Sequence, residues 1–122
     1  MKISEKKLNK GLEKEIFQIF YQTIADLKTP EEVEIFFKDF LSLTPRTALA
    51  KKLAVAVFLD KKRSYENIKS TLKVSSSTVA EVYKHLDSPG FQLALKKIKA
   101  EEWADKWSKR IDSLLGKILP KK

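Results

Sequence analysis

Residues Ser64 to Leu86, SYENIKSTLKVSSSTVAEVYKHL, set two short apolar repeats on either side of a brief polar break, and no other feature restricts the fold of this chain as much. Ile68 and Leu72 face inward from a first helix capped by Ser64, while Val79, Val82 and Leu86 recur at helical spacing in a second. Val74 plugs the corner between them, so the segment reads as a helix-turn-helix over about 64–86. The second helix opens with Ser75, Ser76, Ser77 and Thr78, and such short hydroxyl side chains let a helix N-terminus approach phosphates and base edges closely. The competing reading is a plain helical hairpin in which the serines only cap. Lys73 falls where such a turn commonly needs a left-handed residue, and a side chain there costs about 1 kcal/mol.

Where the charge lies distinguishes these readings better than its total of +9 over 122 residues. Residues 1–42 carry seven basic against eight acidic side chains, whereas residues 43–86 carry nine against three. The excess therefore coincides with the helix-turn-helix and favours a polyanionic partner, double-stranded DNA. Residues 87–122 add nine basic against five acidic side chains, whose simplest role is solvation. With no cysteine, a single histidine and only three glycines, the chain offers no disulfide framework, metal cluster, catalytic constellation or phosphate-cradling loop. No enzyme, cofactor or metal is expected. Its length suits one domain, and no apolar run resembles a leader or a membrane span, so a cytoplasmic protein without a membrane partner is expected.

The remaining periodicity is helical throughout, and no alternating run suggests a sheet. Leu8, Leu12, Ile16, Ile19, Phe20, Ile24 and Leu27 mark a long amphipathic helix from about Ile3 to Leu27. Thr29, Pro30, Glu31 and Glu32 form a start signal for a second helix, whose stripe includes Phe36, Phe37 and Phe40 as core or dimer interface. Thr44 and Pro45 repeat that signal before a third helix, with Ala54 to Leu59 apolar all round and hence central. The third helix ends in Asp60, Lys61, Lys62 and Arg63, where the cations serve either the helix dipole or phosphate contact. After the turn at Asp87 to Gly90, a last helix over about 91–118 presents Trp107, Ile111 and Leu114 in a heptad-like seam for packing or self-association. Its lysines make contact with an anionic membrane or with nucleic acid a lesser alternative.

The order and spacing of LKTPEEVEIFFKDF, LAKKLAVAVFL and the helix-turn-helix resemble the tryptophan-repressor-like superfamily, specifically its shorter YerC/YecD-type branch, over roughly Ile19 to Leu95. The resemblance implies an all-α, intertwined homodimer that places two recognition helices in successive major grooves. It puts Lys69, Ser75, Ser76, Ser77 and Thr78 at DNA-facing positions, with Lys84 as a further phosphate contact; Lys62 and Arg63 are candidates for such contact from the residues alone, beside their dipole role. In the tryptophan repressor, two arginines and the space beside a glycine hold an amino-acid corepressor. Here the matching positions are Lys51, Glu81 and Val82, with His85 in place of a nearby serine, so tryptophan binding is not expected. A rival from another class is a non-catalytic adaptor that binds a protein through its phenylalanine stripe and tryptophan seam, with only non-specific affinity for nucleic acid. RNA binding is weaker still, because most aromatics lie on packing faces, Tyr65 and Tyr83 excepted.

Overall fold

The computed structural model describes residues 6–100 and 103–116. Those residues form helices α1 (Lys10–Ala25), α2 (Pro30–Phe40), α3 (Leu43–Asp60), α4 (Tyr65–Leu72), α5 (Ser76–His85), α6 (Pro89–Ala100) and α7 (Trp103–Gly116), with no strand among them. The all-helical class implied by the pattern is thus the observed one. The chain separates into two compact units, Met1–Leu43 and Thr44–Lys122.

In the first unit, α1 starts later than its apolar period suggests, because the Asn9 side chain accepts hydrogen bonds from the Gly11 and Leu12 amides at 2.8 and 3.3 Å and fixes the cap there. Leu8 therefore precedes the helix, and Ile3 lies outside the described residues. The α2 start follows its sequence signal: Thr29 Oγ1 accepts from the Glu32 amide at 3.1 Å with Pro30 at the first position. Neither helix contains a buried residue. The phenylalanines associate with one another instead, Phe36 stacking on Phe40 at 4.3 Å between centroids and meeting Phe37 edge-on at 5.3 Å.

The second unit is built around α3. Its all-round apolar segment, Ala54 to Leu59, is buried, and Ile68 of α4, Val79 and Val82 of α5 and Leu95 of α6 complete the core. The helix begins at Leu43, before the Thr44 and Pro45 signal; a proline in the first turn is harmless because its missing N–H would have no helical acceptor. At the other end Lys62 adopts φ 63°, and the Lys62 and Arg63 amides bond back to the Leu59 and Phe58 carbonyls at 3.0 and 3.1 Å, a Schellman stop.

The helix-turn-helix occupies its assigned place. Ser64 caps α4 through the Asn67 amide, Ser75 caps α5 through the Thr78 amide, and Val74 at the corner packs against the core. Lys73 closes α4 at φ 55° and ψ 54°, the left-handed geometry that its position in the turn requires. Beyond it, the single last helix expected from 91 to 118 is two: α6 opens at Pro89 itself, where proline's fixed φ suits a first helical position, and α7 follows it. Residues 101–102 and 117–122, with the expected end of the last helix at about 118, lie outside the described residues.

Because the backbone at Lys73 is left-handed, glycine suits the position better than an L side chain. Lys73→Gly is expected to raise stability by about 0.5–1 kcal/mol. Urea unfolding checks this; a lower midpoint would show that the lysine side chain contributes more than its backbone costs.

Candidate nucleic-acid interface

The start of α5 gathers the hydroxyls that the sequence reading singled out. Ser75 Oγ accepts from the Thr78 amide at 3.2 Å and lies 3.0 Å from both Ser77 Oγ and Thr78 Oγ1. Ser75, Ser76 and Ser77 are exposed and Thr78 is half-buried. One hydroxyl thus anchors the helix end while its neighbours face solvent, next to backbone amides that carry the positive end of the helix dipole. The position of α5 is set from beneath, since Val79 and Val82 are buried against α3 and Ile68.

The cations divide into two groups. Lys69 lies on α4 with its ammonium 3.6 Å from the exposed Glu66 carboxylate, a solvent-screened pair that leaves the charge available at small cost. Lys84 and Lys62 are exposed. Arg63 departs from the phosphate-contact role that the sequence suggested. Its guanidinium donates to Asp112 Oδ2 at 2.6 Å, to Ser108 Oγ at 2.7 Å and to Asn67 Oδ1 at 3.1 Å, and sits 4.2 Å above the Phe58 ring. With its side chain only 17% exposed, it joins α3, α4 and α7 rather than facing solvent. The cation–π contact and three hydrogen bonds, one of them to the buried Ser108, hold the guanidinium in place.

The seam residues of the last helix likewise resolve into separate roles. Trp107 approaches Phe58 at 5.9 Å and, with Ile111, packs against the core, whereas Leu114 is 62% exposed. Sequence reading could have found the Arg63 site from one signal: Ser108 and Asp112 follow Trp107 and Ile111 directly, putting a polar pair on the margin of the apolar seam. Tyr65 and Tyr83 bring α4 and α5 together at the surface, edge-on with centroids 6.1 Å apart.

The positions matched to the corepressor site are taken up by the chain itself. Val82 is 2% exposed, Glu81 lies 3.1 Å from His85 Nε2, and Lys51 Nζ donates to the Lys73 carbonyl at 3.1 Å. That last bond runs from α3 to the corner of the helix-turn-helix, where a cation favours the carbonyl end of α4.

The family model described as Trp repressor protein matches residues 15–99 of this chain. A relative from Bacillus subtilis (strain 168), the uncharacterized protein YerC, is 31% identical over 91 residues, covering 73% of this chain and 86% of that protein. No solved structure gives a significant match.

Replacing Arg63 with methionine keeps an aliphatic stem over Phe58 but removes the charge and strands the Asp112 carboxylate. A loss of about 2 kcal/mol is expected, with tryptophan emission moving to longer wavelength before the main unfolding transition as α7 loosens. An unchanged urea midpoint would contradict this role for Arg63.

Proposed function

The chain belongs to the Trp repressor family, one of helix-turn-helix DNA-binding regulators, and from that membership we propose that it is a sequence-specific regulator of transcription acting on double-stranded DNA as a homodimer. The observation that carries this reading is the exposed hydroxyl cluster at the start of α5, on a helix fixed from below by Val79 and Val82, within the sector of largest positive charge. In this reading α5 enters the major groove, Ser75 to Thr78 approach base edges, and Lys69, Lys84 and Lys62 meet the phosphates. Arg63 is left out of the interface, being held by Asp112 and Ser108.

Dimerisation is supported by the apolar surface of the N-terminal half. Ile19, Ile35, Phe40 and Leu43 are each about two-thirds exposed, far more apolar side chain than a monomer normally leaves in water. A second copy covering them would also give the two recognition helices that a two-fold-related site requires. No described helix is long and apolar enough to cross a membrane, which is compatible with action on DNA in the cytoplasm. The chemistry proposed is binding alone.

Two measurements test the reading. Duplexes selected from a random pool at near-physiological salt are expected to share a two-fold-related motif; against the selected duplex, Thr78→Ala changes preference at particular base pairs, while Lys69→Ala weakens every duplex and lowers the salt slope by about 0.9. No enrichment by a folded preparation would instead favour the protein-binding adaptor. Tryptophan is expected to give no saturable heat in calorimetry, because Val82 fills the space for an indole and Glu81 opposes a carboxylate. Micromolar saturable binding would overturn that prediction.

A further inference from the structure

We propose that the outer face of α7 is a second phosphate-binding surface, which grips the DNA backbone flanking the site read by α5. The proposal rests on the DNA-binding reading above but concerns a helix outside the family match, which ends at residue 99.

The first support is the rigidity with which α7 is mounted. Trp107 and Ile111 pack against the core, Ser108 is buried, and Arg63 ties Ser108 and Asp112 to Phe58 and Asn67. Asn67 belongs to α4, so Arg63 links α7 to the first helix of the helix-turn-helix. A surface carried by α7 therefore keeps a fixed position relative to α4.

The second support is what the opposite face carries. At about 100° per residue, Lys106, Lys109 and Arg110 fall on the side of α7 away from Trp107, Ser108, Ile111 and Asp112, and all three are exposed. Lys106 lies three and four residues before Lys109 and Arg110, so the three cations form one ridge along the helix. Three exposed cations on one face suit an external polyanion. From Lys106 to Arg110 the helix rises about 6 Å, a span of roughly two phosphates of one strand at about 3.4 Å of duplex axis each. A DNA strand thus supplies both the charge and the spacing.

The test uses the full chain with Lys106→Gln, Lys109→Gln and Arg110→Gln combined, and binding is followed by fluorescence anisotropy over a range of salt. Two duplexes carry the site selected by the wild type, one trimmed to it and one extended by about 10 bp on each side. Wild-type protein is expected to bind the long duplex more tightly, and the triple variant to lose that advantage, with a salt slope shallower by about 2 to 3 and unchanged base preference. A triple variant that retains the wild-type slope and length dependence would overturn the proposal. So would loss of binding to phosphatidylserine vesicles with DNA binding intact, an outcome that assigns the ridge and the neighbouring exposed Leu114 to a lipid surface.

A companion variant, Lys106→Arg, Lys109→Arg and Arg110→Lys, keeps the charge and is expected to bind as wild type; failure there would mean that side-chain shape in α7, not charge, was being measured, and would also overturn the proposal. If selection yields no base preference, random duplexes of the same two lengths take the place of the selected ones, and a triple variant that still flattens the salt slope on them leaves the α7 surface standing while the reading of α5 fails.

Discussion

Burial of Val55, Phe58, Ile68 and Val79 is the constraint from which the second unit follows. These are its largest fully buried side chains, and they come from α3, α4 and α5, so the segment that is apolar all round becomes the axle for both helices of the helix-turn-helix. Each such side chain contributes about 1.5–3 kcal/mol on leaving water, enough to decide the register of a helix as short as α4. Once Val79 and Val82 are turned inward, helical geometry leaves Ser76, Ser77 and Ala80 outward, so the proposed recognition surface is what remains when the core has been satisfied. Phe58 does more than fill space: Trp107 lies against its ring and the Arg63 guanidinium lies over it, coupling the apolar core to the polar fastening of α7.

The features legible in the sequence are those decided over three or four residues. Thr29, Ser64 and Ser75 cap helices because each side chain reaches an amide three positions ahead. The left-handed bend at Lys73 is legible because an α4 that ends on Leu72 and a corner that packs Val74 against the core leave it no other role. Asn9 acts equally locally, but its signal is weaker than an apolar period that continues through Leu8, so the period alone extends α1 beyond its cap. Arg63 is different in kind. Its partners are 45 and 49 residues away, and a cation beside a helix-turn-helix carries the same local pattern whether it meets a phosphate or Asp112. Only the path of the chain after α6 separates those outcomes.

Periodicity likewise announces that a helix face prefers burial without naming its partner. The pattern on α3 and the pattern on α2 are both apolar, yet the first ends in a closed core and the second in a stack of Phe36 on an exposed Phe40. The heptad-like seam of the last helix shows the same limit within one element, since Trp107 and Ile111 are engaged by the core and Leu114, one turn on, is not.

Charge and exposed apolar surface are also partitioned along the chain in a way that suits the proposed assembly on DNA. Residues 1–42 are close to neutral and hold most of the exposed large apolar side chains, while residues 43–86 carry nine basic against three acidic groups around a closed core. Two copies joined through their N-terminal halves would bring together surfaces with little net charge, so association costs little Coulomb repulsion there. Their basic halves would still repel each other in the absence of ligand, and a duplex running past both would remove that repulsion while releasing its own counterions. On this account the same charge distribution that makes a free dimer less favourable makes the DNA-bound dimer more so, and binding and assembly strengthen each other without requiring a small-molecule effector.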